Sequence, residues 1–153
     1  MCTLETKIPP PVVMVLLGAL AWFVARYLPA LSLQLPFTTL IAIAVASVGV
    51  VLNVFPKLAF GRAGTTVNPL RPGSASHLVT SGIYRYSRNP MYLGHAVILL
   101  GWAIYLHNFV AVVAVPAFVL YISRFQIGPE ERHLYARFAD EYTAFCRRSP
   151  RWL

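Results

Sequence analysis

Charged side chains are scarce in this sequence of 153 residues: they make up 12% of it, whereas hydrophobic residues make up 58%. Soluble domains usually carry about a quarter charged residues, so this composition argues against a soluble enzyme. One membrane crossing takes about 20 apolar residues, and the chain therefore has room for about four crossings within a single domain, residues 1–153. No large domain outside the membrane fits beside them.

Cysteine and acidic residues are few as well. Cys2 and Cys146 form no CxxC pair and have no metal-ligand spacing, so we expect neither a disulfide nor a metal site. The 13 basic residues outnumber the 5 acidic ones, and the net charge of +8 would favour nucleic-acid binding in a soluble protein. Here the basic residues lie between long apolar runs. We therefore attribute them to membrane orientation and expect no nucleic-acid partner.

Several motifs of soluble enzymes are also missing. The chain contains no GxGxxG and no GxxxxGKS or GxxxxGKT, which excludes a Rossmann nucleotide domain and a P-loop. His77, His95, His107 and His133 lack the i, i+4 pairing of a metalloprotease helix, and we interpret them as structural. His95 is the exception, because a polar residue one turn into a membrane span usually faces a cavity.

Four apolar runs are predicted to cross the membrane as helices, so the expected fold is all-α. The predicted spans are residues 12–31, 37–56, 91–106 and 109–123. For the first run a cleaved signal peptide is the alternative, but only Lys7 is basic ahead of it and three consecutive prolines precede it. We expect this run to be retained as a span.

The last two spans belong to one run of 34 uncharged residues, Pro90 to Ser123. A single helix of that length would measure about 51 Å, which is more than a hydrocarbon core of about 30 Å requires. We therefore expect the run to fold back at His107-Asn108, the polar pair inside it. Pro116 is expected to kink the second arm.

Basic residues predict which way the spans face. The connection from Lys57 to Pro90 carries five basic residues and no acidic one, and the sequence from Arg124 onward carries six arginines. The turn at His107-Asn108 carries neither lysine nor arginine. Because basic loops stay in the cytoplasm, we expect both chain ends and the polar chemistry on the cytoplasmic face of a plasma membrane.

A further helix is predicted over residues 129–147. Its first turn contains Pro129, which needs no N–H partner there, and Glu130 and Glu131, which offset the helix dipole. Apolar residues then recur at helical spacing, so the helix is expected on the membrane surface or over the long loop. On these grounds alone the two glutamates are helix-start charges, and the tyrosines and arginines of residues 82–94 form an interfacial belt.

Two stretches carry a more specific signal. They read Leu78-Val79-Thr80-Ser81-Gly82-Ile83-Tyr84 with Arg88-Asn89-Pro90-Met91-Tyr92-Leu93-Gly94, and then Arg124, Glu130-Glu131, Leu134, Phe138, Glu141-Tyr142 and Phe145. In order and spacing they resemble the isoprenylcysteine carboxyl methyltransferase family and its phospholipid methyltransferase relatives, whose pattern is approximately LVTxGxYxxxRHPxYxG followed by EExxLxxxFGxEYxxY. Asn89 replaces the family histidine, as in the bacterial branch, and Ala139-Asp140 replaces the glycine and its neighbour. His77 directly precedes Leu78, where relatives often have one residue between.

The resemblance implies an integral membrane enzyme that binds S-adenosylmethionine between the loop before the third span, the last span and the helix at the paired glutamates. The residues implied to bind the cofactor are Gly82, Tyr84, Arg88, Asn89, Pro90, Tyr92, Gly94, Glu130 and Glu131. Arg124 and Glu131 are assigned to the catalytic edge. No metal is required.

The methyl acceptor is expected to be lipophilic and to reach the site from the bilayer. A carboxylate acceptor of the isoprenylcysteine type needs no base, and the lack of an evident pair of histidine and acid favours it slightly. The alternatives are a phospholipid or amine N-methyltransferase, a nicotinamide-dependent reductase relative, and a non-enzymatic scaffold or channel subunit. The RNPxY stretch together with the distant glutamates argues against the scaffold, because membrane anchoring requires neither.

Overall fold

A computed structural model describes residues 5–28, 36–62 and 78–153, with side chains up to residue 58 in the second range. Cys2, His77, most of the long basic loop and the end of the first predicted span lie outside these residues. Throughout the described ranges every regular element is helical. The expectation of an all-α membrane fold is confirmed.

Six α-helices make up the described chain. They are α1 (Pro10–Tyr27), α2 (Thr38–Arg62), α3 (Pro90–Tyr105), α4 (Phe109–Val112), α5 (Ala114–Ile122) and α6 (Gly128–Arg148), with a 3₁₀ turn at Gly82–Arg85 and a π-helical segment at Ser123–Ile127. Three helical stretches are long and apolar enough to cross a membrane: α1, Thr38–Leu58 of α2, and Phe109–Arg148. α3 is apolar but has only 16 residues, about 24 Å.

Proline sets several helix boundaries. Pro10, Pro90 and Pro129 stand at the first or second position of α1, α3 and α6, where a missing N–H costs nothing. Pro116 has no N–H to offer the carbonyl of Val112, and α4 ends at that residue. The expected interruption of the last span therefore falls at Val113, one turn before Pro116.

Asn108 closes the turn between α3 and α4. Its side-chain oxygen accepts a hydrogen bond of 2.9 Å from the N–H of Val110, and its amide donates one of 3.0 Å to the carbonyl of Leu28. The chain thus folds back at His107-Asn108, as expected. The same residue caps the end of α1, so α1 ends on the side of the molecule where this turn lies.

α2 and α3 run antiparallel and meet backbone to backbone. A Cβ atom built on Gly94 would lie 2.7 Å from the carbonyl oxygen of Gly49, and one built on Gly101 would lie 2.9 Å from that of Ala42. No real side chain tolerates such distances. Glycine at these two positions of α3 is what allows the close approach.

The helix expected over residues 129–147 is present as α6, but it is continuous with the last span rather than separate from it. Residues 123–127 contain neither glycine nor proline, so nothing ends the helix before α6 begins. We take residues 109–123 as the membrane-spanning part of this long helix. The second half of α6 covers the loop, because Tyr142 and Phe145 pack on Tyr84 of the 3₁₀ turn.

Candidate functional site

Glu130 lies where α3 and the start of α6 meet. Its Oε1 accepts a hydrogen bond of 2.6 Å from the hydroxyl of Tyr92 in α3 and another of 2.6 Å from the amide of Gln126 in the π-helical segment. Tyr92 and Gln126 are both buried. Two buried donors therefore hold one oxygen of this carboxylate in place.

The π-helical segment contains Gln126, the partner of Glu130. In a π-helix the backbone hydrogen bonds span five residues, so the segment accommodates an extra residue and turns the side chains that follow. Gln126 and Ile127 are buried as a result, whereas Arg124 is exposed. Such segments occur frequently at functional sites.

The environment of Glu130 disfavours its charge. Burial raises the pKa of the Glu130 carboxyl above its ordinary value, the hydrogen bonds from Tyr92 and Gln126 act in the opposite direction, and the nearby charge of Glu131 raises the pKa further. Burial, and then the charge of Glu130, likewise raises the pKa of the Tyr84 phenol, which therefore stays neutral.

Glu131 forms the ionic centre of the site. Arg88, from the loop before α3, donates from Nη2 to Glu131 Oε1 at 3.2 Å, and both side chains are mostly buried, with 14% and 19% of their surface exposed. Arg151, in the segment after α6, donates from Nε to the same oxygen at 3.1 Å and from Nη2 to the other oxygen. The two stretches singled out in the sequence are thus joined directly by an ion pair.

A cavity of about 390 Å³ opens beside this ion pair. Its lining includes the side chains of Arg88, Glu131, Arg132, Tyr135, Tyr142 and Cys146. Cations, a carboxylate and aromatic rings therefore face one space, between the loop before α3 and one side of α6. This combination suits a ligand with a zwitterionic end and a flat ring.

Other predicted site residues shape the loop. Gly82 has a φ of 64°, a backbone conformation that favours glycine. A Cβ atom built at this position would have no neighbour within 4 Å, so the requirement for glycine comes from the backbone and not from crowding. Asn89 precedes Pro90, the first residue of α3; its N–H donates to Ser87 Oγ at 3.1 Å and its side-chain amide donates to the carbonyl of Arg151 at 2.9 Å.

Of the predicted site residues, only Arg88 and Glu131 are among those that line the cavity, and Gly94 and Arg124 have other surroundings. Gly94 packs against the backbone of Gly49 and Asn53 in α2, which gives it a role in helix packing. Arg124 is exposed on the π-helical segment and does not belong to the cavity lining. Its assignment to the catalytic edge stays a prediction.

His95 belongs to a separate polar group between α2 and α3. Its Nδ1 lies 2.8 Å from the carbonyl oxygen of Met91, and the amide nitrogen of Asn53 lies 3.2 to 3.3 Å from the ring nitrogens. Lys57 Nζ donates to Asn53 Oδ1 at 2.7 Å. The ring is thus engaged in the helix contact. Among the described residues no group of histidine, cysteine and acidic side chains could hold a metal ion.

Comparison with known proteins identifies the family. The family model for phospholipid methyltransferases matches residues 37–141, more than half of the chain. The chain belongs to the phospholipid methyltransferase family. It is also similar to an uncharacterized protein of Haemophilus influenzae, with 43% identity over 63 residues, which are 41% of this chain and all of that protein. It is 37% identical over 76 residues to the protein-S-isoprenylcysteine O-methyltransferase of Schizosaccharomyces pombe, covering 48% of this chain and 31% of that enzyme.

Several side chains at the site of this methyltransferase family member were not among the predicted site residues. Gln126 binds Glu130 and Arg151 binds Glu131. The cavity lining adds Arg132, Tyr135, Cys146 and Tyr142, of which Tyr142 was part of the sequence pattern but had no predicted ligand contact. Gln126 could have been found, because an amide four residues before a glutamate shares its helix face. Arg151 had no such signal, since nothing in the spacing of 20 residues predicts contact with Glu131.

Proposed function

We propose that this chain is an S-adenosylmethionine-dependent methyltransferase whose single domain, residues 1–153, methylates a lipophilic acceptor at the cytoplasmic face of the bacterial inner membrane. The observation that carries the proposal is the Arg88–Glu131 ion pair of 3.2 Å beside the cavity. Membrane anchoring alone does not require it. Membership of a methyltransferase family supports the same type of reaction.

The residues at the cavity fit the charged end of the cofactor. Arg88 Nε is buried and has no hydrogen-bond partner among the described atoms, and such a donor costs about 1–3 kcal/mol when unpaired. A ligand carboxylate would satisfy it. Glu131 has carboxylate lone pairs for an ammonium group, and the amino-acid end of S-adenosylmethionine carries both of these groups.

The remaining predicted residues support this arrangement. Tyr135 and Tyr142 line the cavity and suit an adenine ring, which stacks on aromatic side chains. We assign a second set to the walls and the backbone around the ion pair: Tyr84, Tyr92 and Glu130 as the wall behind it, and Gly82, Asn89, Pro90 and Gly94 as the residues that fix the course of the backbone.

Methyl transfer from a sulfonium is an in-line displacement, in which the acceptor atom bonds to the methyl carbon while the carbon–sulfur bond breaks and sulfur keeps its electron pair. The protein has to align the two reactants and exclude water, and alignment contributes up to ~7–11 kcal/mol. We assign Glu131 to the alignment of the methyl donor. Arg124, exposed just past the last span, is our candidate for the cation that orients the acceptor.

The cavity lining includes no histidine among the described residues, which supports a carboxylate acceptor over an amine. Of its two arginines, Arg88 is assigned to the carboxylate of the donor and Arg132 pairs with Glu5 at 2.6 Å, so the cation for the acceptor is assigned to Arg124. A carboxylate needs a cation and no base, but an ammonium group must first lose its proton. A lipophilic carboxylic acid, of which an isoprenylcysteine is one form, is therefore our preferred acceptor, and a phospholipid amine is the second candidate because of the family match.

The cofactor assignment is tested by binding. Purified protein in detergent is titrated with labelled S-adenosylmethionine and, separately, with NADPH, together with the variants Glu131→Gln and Glu141→Gln. Glu141 is exposed on the same helix and serves as the control. We expect saturable binding of S-adenosylmethionine, a ten- to hundredfold loss in Glu131→Gln from one lost charge-assisted contact of ~1.5–3 kcal/mol, and no change in Glu141→Gln. Binding of NADPH alone would support a reductase and refute the proposal.

The acceptor is tested in membranes. Membranes that contain the protein are incubated with methyl-labelled S-adenosylmethionine and extracted with organic solvent, and the extract is treated with base. A methyl ester releases its label as methanol, whereas an N-methyl group keeps it. Base-labile label in the lipid extract is the expected result. Base-stable label would favour the amine acceptor, and label confined to small water-soluble products would exclude a lipophilic one.

A further inference from the structure

The segment after α6, residues Ser149–Trp152, lies against the loop before α3 beside the candidate site, and we call it the clasp. Its main chain binds the loop before α3: the N–H of Arg88 donates to the carbonyl of Pro150 at 2.9 Å, and the side chain of Asn89 donates to the carbonyl of Arg151 at 2.9 Å. The Ser149 hydroxyl donates to the carbonyl of Arg85 at 3.3 Å. Three hydrogen bonds therefore hold the clasp against one loop.

The far end of the clasp is anchored in the helix core. The indole N–H of Trp152 donates to the hydroxyl of Ser123 at 3.1 Å, and its ring packs against the apolar cluster that contains Phe118 and Ile122. Both of these core residues are fully buried. The clasp is thus fixed on either side of Arg151, and its backbone cannot shift without breaking these contacts.

Between the anchors, the side chain of Arg151 reaches Glu131. Its guanidinium contacts both oxygens of the carboxylate, whereas Arg88 contacts only one. A planar guanidinium that bridges two oxygens fixes the rotation of a carboxylate, which a single contact does not. Arg151 itself is 46% exposed and is not among the residues that line the cavity.

Asn89 connects this arrangement to the loop. It occupies the position at which the related family pattern has histidine, and its amide holds the carbonyl of Arg151. The backbone carbonyl of Arg151 therefore accepts a hydrogen bond from the loop, and the side chain of Arg151 donates to Glu131 of α6. Like the Arg88–Glu131 ion pair, the clasp connects the loop before α3 with α6.

We propose that Arg151 is a positioning residue of the methyltransferase site, which acts by fixing the orientation of the Glu131 carboxylate towards the bound methyl donor. This inference rests on the proposed function. It assigns to Arg151 an effect on donor binding rather than on the chemical step, because its contacts are with Glu131 and the loop.

The variants Arg151→Gln and Arg151→Lys test the inference, with Arg148→Gln as the control. Arg148 is exposed and donates to Ala144 of its own helix, outside the site. We expect the KM and Kd for S-adenosylmethionine to rise about tenfold in Arg151→Gln and about threefold in Arg151→Lys, which keeps the charge but cannot bridge two oxygens, with kcat within about twofold. Arg148→Gln should match the wild type.

A second readout does not depend on turnover. Cys146 lines the cavity, and a Cys2→Ser background makes it the one cysteine of the chain. We expect a thiol reagent to label Cys146 several times faster in Arg151→Gln, because Glu131, which lines the same cavity, is then held less tightly. Bound S-adenosylmethionine should slow the labelling in the wild type.

The outcomes separate the inference from the proposed function. Arg151→Gln or Arg151→Lys protein that unfolds like the wild type, binds S-adenosylmethionine within twofold of it and labels at the same rate would overturn the role of Arg151 while leaving the methyltransferase intact. Tighter binding in these variants would also overturn it, since Arg151 would then compete with the ligand for Glu131. If Arg151→Gln does not fold, Arg151→Lys decides. Failure of the wild type to bind S-adenosylmethionine would refute the proposed function instead.

Discussion

Ala139 has a strained backbone in the middle of α6. Its φ of 26° and ψ of −97° interrupt the helix, so α6 bends at this residue. A positive φ brings a Cβ atom too close to the backbone, and glycine is the residue that adopts it without cost. The family pattern has glycine at this position. The position at which this sequence departs from the family pattern is therefore the one residue of α6 whose conformation is not helical.

We predict that Ala139→Gly stabilises the protein by about 1 kcal/mol, because it relieves strain of about 1–2 kcal/mol at the cost of some backbone entropy. The matched control is Ala144→Gly, at an exposed and regular helical position, which should destabilise by about 0.5–1 kcal/mol. Chemical unfolding of both variants in detergent gives these values. Equal losses in the two variants would show that the bend at residue 139 carries no strain.

Among the elements, the π-helical segment sets the rotation of α6 about its own axis. Glu130 and Glu131 follow it directly, and Gln126 within it binds Glu130. In an α-helix each residue advances the rotation by about 100°, so one residue more or less before α6 changes which side of the helix faces α3. The register of the two glutamates therefore depends on Ser123–Ile127 taking up one extra residue.

Deletion of Phe125 tests this register. We expect the shortened segment to close into a regular α-helix and to carry Glu130 away from Tyr92, with a loss of S-adenosylmethionine binding of at least tenfold and an unchanged helix content by circular dichroism. Phe125→Ala keeps the spacing and is the control. A deletion variant that binds the cofactor as well as Phe125→Ala would show that the π-helical segment does not position the site.

The helices were predictable from the sequence, but the way two of them join was not. Uncharged runs and proline positions indicate where α1, α2, α3 and α5 lie, because both signals are local. The π-helical segment leaves no such mark, since the same five residues, Ser123–Ile127, would also fit an α-helix. Sequence reasoning consequently separated α6 from the span that it continues.

Contacts between site residues that are far apart in the sequence were predictable only in part. Arg88 and Glu131 are 43 residues apart, and only the family resemblance, not their spacing, suggested that they meet. The same resemblance assigned Gly94 to the cofactor site, but Gly94 lies on the side of α3 that packs against α2. Whether a residue on a helix faces a cavity or a neighbouring helix depends on the packing of the whole bundle, which a linear pattern does not contain.

At the scale of the whole molecule, the described contacts define two ends. At one end Asn108 binds Leu28, and at the other the N–H of Thr6 donates to the carbonyl of Phe125 at 3.0 Å. Near that second contact Glu5 pairs with Arg132 at 2.6 Å. The start of α1 and the site therefore share one end of the bundle, and the turn at Asn108 lies at the opposite end.

We predict that the end with the site faces the cytoplasm, since it carries the basic residues. A reporter that is active only in the cytoplasm should give a signal when fused after residue 62 or after residue 153, and none when inserted at residue 108. Activity at residue 108 together with silence at the other two positions would invert the topology. The cavity would then face the side of the membrane that has no supply of S-adenosylmethionine.

The close contact of α2 with α3 restricts how an acceptor can travel. Glycines 94 and 101 leave no groove between the two helices, because even a methyl group on either would collide with the facing backbone. An acyl or prenyl chain is wider than a methyl group, so lateral diffusion from the bilayer into the site through this seam is blocked. If the acceptor is carried by a lipid, its path to the cavity therefore lies outside this contact between α2 and α3.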